Sequence, residues 1–404
     1  MKSSKGPFMD LPKAIHELEY NHGSVYGPEE EAALREVLAA SAPSCGSKVK
    51  KFEEVFASYC GVPYGLAVTS ATAGLQLAMI AAGVGPGDEV ITTPISWIST
   101  ANAVAAQNAR VVFADVDPRT LNLTPSSIAE KITDRTKVIL PVHLYGQCCE
   151  MDPIMELARQ RGIIVVEDCA HAAGAEYKSR RAGSLGDIGV FSFHQQKNMV
   201  TLGEGGMVTA RRRDLYERML SFRSLCCLTY DPKGKYLPID ESKTPMGKRY
   251  WYLDFDDVGL NFRMTDAQAA VGLVQLAKLD GFNARRIEIA NLYCQRLRGI
   301  RGLTSPYVSP DVKHVFHIYC VLVEPEFRLS KEDFMWELYT AKRIKVWSHY
   351  MPIHLTTVYR RLGHAEGECP VAEALFHKYV SLPIHPRLTE ETISYVTDSI
   401  RELS

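Results

Sequence analysis

The sequence has almost no net charge: 46 Lys and Arg against 47 Asp and Glu leave −1 over 404 residues. Partners such as nucleic acid or an anionic membrane call for a basic excess, and none is present. No CxxC pair occurs among the ten cysteines. Neither a zinc module nor a disulfide framework is therefore expected, and free thiols in a reducing, cytoplasmic setting are. The opening MKSSKGPFMDLPKAIHELEY has a basic tip without an apolar centre, so no secretion signal is expected. A GxxxxGK[ST] phosphate loop and a GxGxxG dinucleotide fingerprint are both missing. One uncharged stretch, Val55 to Gly87, is long enough to span a bilayer. It holds two Pro and six Gly, with Ser, Thr and Gln, and reads as buried strand and helix instead.

With 46% hydrophobic and 23% charged residues, the composition is that of an ordinary globular protein. At about 150 residues per domain the length suggests two or three domains. Through about residue 60 the chain is polar and helical in pattern, as in KVKKFEEVFASYC. Seven short β-rich runs follow, beginning near residues 65, 89, 110, 137, 162, 188 and 206. Several are apolar throughout, as expected of strands buried on both faces of a mostly parallel sheet. Helical stretches such as MDPIMELARQRG separate them, which predicts an α/β doubly wound fold. Residues 224–258 lack periodicity and predict a functional loop. Helices are expected at 265 and again near 283, then a smaller α+β region containing HVFHIYCVLV and KEDFMWELYTAKR. The expected division is a helical segment at 1–60, a large α/β domain at 61–280 and a small α+β domain at 281–404.

Four positions could carry chemistry, and each follows a predicted strand. Ser70-Ala71-Thr72 starts a helix, where free N–H groups and the dipole suit a phosphate; plain N-capping would explain the same residues. Asp168 ends the apolar GIIVVED and is followed by His171. It suits a protonated ring nitrogen, or equally a helix cap. Lys197, 29 residues beyond Asp168 and ahead of a Gly-rich turn, could form an imine, although most lysines are simply exposed. Trp97 could stack on a flat ring or serve as a large core aromatic. His349 and His354 in HYMPIH are five apart around Pro352 and have no completing ligand, so no metal site is expected. Cys148-Cys149 and Cys226-Cys227 read as buried thiols. The conjunction is what points to chemistry: a phosphate anchor, a ring stack, a pyridinium partner and an imine-forming lysine are what pyridoxal 5′-phosphate requires.

At this level of detail the chain resembles the DegT-type sugar aminotransferases, which belong to the fold type I pyridoxal-phosphate enzymes. The resemblance runs from about residue 23 to the C-terminus. It is carried by GPGDEVITTPISWISTANAV, LPVHLYGQCCEMDPIMELARQRGIIVVEDCAHAAGAEY, GSLGDIGVFSFHQQKNMVTLGEGGMV, GLNFRMTDAQAAVGLVQL, HYMPIH and SLPIHP. It implies a large cofactor domain with a mostly parallel sheet between helices. Lys197 would be the imine-forming lysine and proton shuttle, Asp168 the holder of the pyridinium proton, and Trp97 the ring stack. His171 would lie near the phenolic oxygen, and Ala71, Thr72 and Ser192 at the phosphate. Asn261 would reach the phosphate of a neighbouring subunit, which implies a homodimer with shared sites.

Two departures from the family pattern are visible. Ala71 stands where Gly is usual, and the 224–258 loop is longer than in many relatives. Members that dehydrate their substrate replace the lysine with His, and Lys197 argues against that branch. The implied reaction moves an amino group from L-glutamate or L-glutamine to a nucleotide-linked keto-deoxyhexose. A keto-cyclitol of the scyllo-inosose type is the alternative acceptor, and a non-catalytic regulator on the same fold is the alternative from another class. Cysteine desulfuration would need a cysteine in a distinctive context, and no such context is found.

Overall fold

The computed structural model describes residues 25–40, 44–228 and 254–404. Most of the expected loop therefore lies outside the described residues. Its flanks pair as two short antiparallel strands, Cys227 opposite Phe255.

All seven β-rich runs form one sheet. Its strands are β1 (Tyr64–Val68), β2 (Glu89–Thr92), β3 (Arg110–Phe113), β4 (Thr136–Leu140), β5 (Ile164–Asp168), β6 (Ile188–Ser192) and β7 (Gly206–Ala210). The order across the sheet is β1-β7-β6-β5-β4-β2-β3. Strands β2 to β6 pair in parallel. Only β7 runs the other way, antiparallel to both β1 and β6. The carboxyl ends of six strands consequently share one edge of the sheet, the edge at which open α/β sheets bind ligands.

The uninterrupted apolar character of the strands has a direct cause. Leu66, Val68, Val90, Val138, Leu140 and Val166 face one core cluster, with helices Ala71–Ala81, Ser99–Ala105 and Arg213–Arg223. Ala67, Ile91, Ile139 and Val165 face the other, with helices Ser47–Cys60 and Met151–Arg161 and the first half of a long helix. Alternate residues are buried on opposite faces, so apolar residues run on where a half-exposed strand would alternate them with polar ones. Four aromatics lock helix Ser47–Cys60 to the sheet. Phe56 lies 4.9 Å from Phe191 edge-on, and Phe52 5.5 Å from Phe193; such pairs contribute about 0.5–1.5 kcal/mol beyond their buried area.

The two helices expected at 265 and 283 are one element, Asp266–Leu297, of 32 residues. At 1.5 Å per residue it is about 48 Å long. Thr265 and Gln268 form a reciprocal capping box at its start. Gly281 does not break it, because one glycine in a helix costs only about 1 kcal/mol and packing along its length offsets that. Residues up to Leu279 join the second cluster. Ile289, Ala290, Tyr293 and Leu297 join a third, around a small antiparallel sheet of Leu303–Thr304, Tyr319–Val323 and Tyr379–Leu382. Helices Lys331–Thr340 and Glu390–Leu403 cover that sheet. Among the described residues no helix is long and apolar enough to cross a membrane.

Candidate active site

At the shared edge the strand ends open into a cavity of about 630 Å³. Ala71, Thr72, Trp97, Asp168, His171, Ser192 and Lys197 all line it, in company with Trp347 to Met351 from the C-terminal region. Asn261 does not line it. It is exposed and forms a bridge with Ser224, one residue before Phe262, whose carbonyl accepts the Thr69 N–H.

The anion end is built at the start of helix Ala71–Ala81. Ser70 is its N-cap, and its hydroxyl accepts the Ala73 N–H at 3.2 Å. The first N–H groups of the helix have no partner within it and are available to an anion. Thr72 donates to Ser99 Oγ at 2.9 Å, which ties this turn to the segment after β2. Gly74 lets the helix sit close to the sheet, since a Cβ there would lie 2.8 Å from Val190 and 2.9 Å from Val208. On the wall, Trp97 is 61% exposed, with its ring 6.1 Å from Tyr350. An indole left this open beside a cavity can cover a flat ligand.

Asp168 ends β5 with its backbone locked. Its N–H donates to Pro141 O at 2.9 Å and its carbonyl accepts the His143 N–H at 3.1 Å. Its side chain is buried. Oδ2 accepts from Thr100 at 2.8 Å and Oδ1 accepts the Ala170 N–H at 3.0 Å. Burial pushes the carboxyl above its usual range, while those two hydrogen bonds and the charge of Lys197 pull it down.

Lys197 sits in the turn that joins β6 to β7. Phe193 donates to Gly205 O, Gln195 to Gly203 O and the Lys197 N–H to His194 O. The adjacent Asn198 anchors the turn to the long helix, donating to Asn283 Oδ1 at 2.8 Å and to Val315 O at 3.1 Å. Burial lowers the Lys197 amine to about 8, against the opposing pull of Asp168. Burial thus drives the acid and the amine toward their uncharged forms in one cavity, an arrangement suited to proton transfer.

His171 accepts the Tyr145 N–H on Nδ1 at 3.3 Å, which assigns its proton to Nε2, 3.2 Å from the Tyr350 hydroxyl. Burial and nearby Lys197 hold it far below the ordinary imidazole range, so it is neutral. Tyr350 belongs to the HYMPIH segment, whose His349 and Tyr350 face the cavity. His349 Nδ1 lies 2.9 Å from Ser381 Oγ, and the carbonyls of His349 and Tyr350 accept the hydroxyls of Tyr145 and Tyr379. The residues not anticipated are Thr100, His317 and Trp347 to Tyr350. Of the last group, His349 and Tyr350 belong to HYMPIH, a motif that carried the resemblance but of which no residue was assigned to the cofactor site.

A potential metal set does occur behind the site. Donor atoms of His143, Glu167 and Cys169 lie within 4.8 Å of one another. Glu167 and His143 are already engaged. Glu167 accepts from His143 and from the N–H groups of Gly183, Leu185 and Gly186 at 2.6–2.9 Å, and His143 Nδ1 accepts the Cys149 N–H. The cluster braces the strand that carries Asp168.

A model of the DegT/DnrJ/EryC1/StrS aminotransferase family matches residues 25–401. GDP-perosamine synthase of Caulobacter vibrioides is 37% identical over 93% of this chain and 95% of its own length. The dTDP-3-amino-3,4,6-trideoxy-alpha-D-glucose transaminase of Streptomyces venezuelae is 34% identical over 98% and 95%. The crystal structure of S. venezuelae DesV in complex with a ketimine intermediate superposes with a TM-score of 0.82 at 34% identity, covering 93% of this chain and 94% of that one.

Proposed function

The chain belongs to the DegT/DnrJ/EryC1/StrS aminotransferase family, and from that membership and the cavity we propose that it moves an amino group from L-glutamate or L-glutamine to a nucleotide-linked keto-deoxyhexose. Family members are sugar aminotransferases that use pyridoxal 5′-phosphate, and the lining residues have the chemistry to hold that group. The amides of Ala71 and Thr72, with Ser192, would take the phosphate. Trp97 would cover one ring face, Asp168 would meet the ring nitrogen, and His171 would lie by the phenolic oxygen. Lys197 would form the covalent link.

When bound, the cofactor supplies an aldehyde for amines and a ring that accepts the electrons released when the donor's α C–H bond breaks. The protein's own part is proton handling. The Lys197 amine takes the α-proton and returns it one carbon away, and Asp168 keeps the ring nitrogen protonated. The observation that carries this reading is the convergence of the Lys197 amine and the buried Asp168 carboxyl on one cavity.

The preference for a nucleotide-linked acceptor is supported by the names of the two relatives, which make GDP- and dTDP-linked amino sugars. We further read the protein as a cytoplasmic homodimer in which Asn261 serves the neighbouring site, with domains at 61–280 and 281–404. The test is the visible spectrum of the purified protein. A yellow band that L-glutamate or L-glutamine bleaches, and that Lys197→Ala lacks, is expected. The bleached form should then be restored by GDP- or dTDP-keto-deoxyhexoses and not by scyllo-inosose. Restoration by the cyclitol alone would overturn the acceptor, and a protein that cannot bind the cofactor would overturn the enzyme.

A further inference from the structure

His317 is buried beside the site, and nothing above assigns it a task. Its Nε2 lies 3.4 Å from Lys197 Nζ, and its ring centre lies 4.4 Å from that of His171. Its Nδ1 is buried with no hydrogen-bond partner among the described residues. The backbone that delivers it is under strain. Phe316, a bulky residue, has φ 43°, a left-handed conformation normally left to glycine.

Several contacts hold that conformation. Phe316 stacks on His314 at 3.9 Å and donates its N–H to His314 Nδ1 at 2.9 Å. Arg286, fully buried in the long helix, donates to the carbonyls of Phe316, His317 and Ile384 at 3.1–3.4 Å. Gly146 completes the clamp, because a Cβ there would meet Val315, His171 O and Phe316 N at 2.9–3.1 Å. Core packing alone would be met by any apolar side chain without left-handed backbone. A strained segment clamped from three directions, with its imidazole on the reactive amine, points to a task at that amine.

We propose that His317 is a positioning residue for Lys197: its Nε2–H donates to the lone pair of the uncharged amine, which holds that amine at the cavity wall and favours its uncharged form until it takes up a proton. The inference rests on the assignment of Lys197 as the imine-forming lysine. Charge around the pair favours this direction of the hydrogen bond. Burial most of all, and then the charges of Lys197, His171, Arg286 and His349, oppose a positive charge on His317. With one ring proton to place, putting it on Nε2 leaves Nδ1 as a bare acceptor, and unpaired buried acceptors are commoner than unpaired buried donors. The groups facing the amine itself are Asp168, which favours its charged form, and His171, His317 and His349, on which the amine's charge bears directly. His194 of the same turn also feels that charge.

The amine can be titrated without the cofactor. Apoprotein is labelled with a trace of acetic anhydride across pH 6–11, and the modified Lys197 peptide is quantified by mass spectrometry. Wild type should show a midpoint near 8. His317→Phe keeps a ring against His171 and removes the donor, so its midpoint should rise by about one pH unit, the size of one lost hydrogen bond. In the holoenzyme the glutamate half-reaction should slow about 10-fold with little change in KM, and its isotope effect with α-deuterated glutamate should grow. An unchanged midpoint together with an unchanged isotope effect would overturn the proposal, leaving His317 a packing residue. If His317→Phe does not fold, His317→Asn carries the same test, since its shorter amide cannot span the gap. A wild-type protein that labels near 8 yet never binds cofactor would overturn the proposed function while leaving the contact with His317 intact.

Discussion

Thr100 and Asp168 stand 68 positions apart in the chain, and the threonine hydroxyl donates to the carboxylate at 2.8 Å. Ser96 lies 2.8 Å behind that hydroxyl, so a short relay from the segment after β2 fixes one oxygen of an acid on β5. The arrangement sets both the direction and the charge of Asp168. Thr100→Val keeps the shape and removes the donor. The acid limb of the pH–rate profile is expected to move to higher pH by up to about one unit, because a pull that lowers the carboxyl is gone. Asp168→Asn should weaken cofactor binding and slow amine exchange by about 100-fold or more. Titration with pyridoxal phosphate and stopped-flow bleaching check both, and wild-type behaviour in the Asn variant would remove Asp168 from the reaction.

Lys197 makes the cofactor-free protein less stable than it could be, with a sign that depends on pH. Its folded value of about 8 lies below the ordinary 10.5, so the folded chain releases this proton first. Below about 8 the penalty is full. Between 8 and 10.5 the unfolded chain binds the extra proton, and stability rises with pH. Lys197→Met removes the penalty and should stabilise the apoprotein at pH 7 by about 1–3 kcal/mol, discounted for the lysine's partial exposure. That advantage should shrink at pH 10. Urea unfolding at the two pH values measures it, and an equal gain at both would show that the amine is not held in a desolvated place.

The seven strands and the residues at their ends were legible because each rests on a local pattern: an apolar run followed by a polar or hydroxyl residue at the ligand edge. What remained hidden depends on contacts between distant segments. The reversal of β7 leaves no mark on its composition, since a strand buried on both faces reads the same in either direction. Thr100 looks like any helix-start threonine until β5 is placed beside it. His317 sits in an apolar run, HVFHIYC, that gives no hint of the left-handed turn at Phe316. Tyr350 meets His171 only across 179 positions of chain, a contact that no local pattern announces. The break assumed near residue 281 fails because helix propensity is a weak prior that packing overrides.

Glu167 should prove structural and not metal-binding. Its carboxylate gathers three backbone N–H groups and His143 with both side chains fully buried. Removing it would strand those donors without water. Glu167→Ala is therefore expected to cost about 3–5 kcal/mol, the range for breaking a buried charged network. Glu167→Gln should also destabilise, since its amide nitrogen would face donors. Differential scanning calorimetry of holoenzyme before and after dialysis against a chelator should give the same Tm. A drop in Tm after chelation would mean that the His143, Glu167 and Cys169 donors hold an ion.

Gly206 tests whether the helix start at Ala71 is an anion site or a simple cap. It begins β7, paired with Val68 on one side and Ser192 on the other. A Cβ there would meet the Ser70 carbonyl carbon at 2.7 Å, Ala71 N at 2.8 Å and Phe191 O at 2.9 Å. All three are backbone atoms in ordered elements, so the first helical turn must shift. Gly206→Ala should destabilise by about 1–3 kcal/mol through this overpacking. If the Ala71 and Thr72 amides hold the phosphate, the same shift should also weaken cofactor affinity, by about 10-fold for a loss of about 1.4 kcal/mol. Gly85→Ala, where a Cβ meets nothing within 4 Å, is the control and should change neither quantity. A lowered Tm with unchanged affinity would reduce Ser70 to a cap and place the phosphate elsewhere in the cavity.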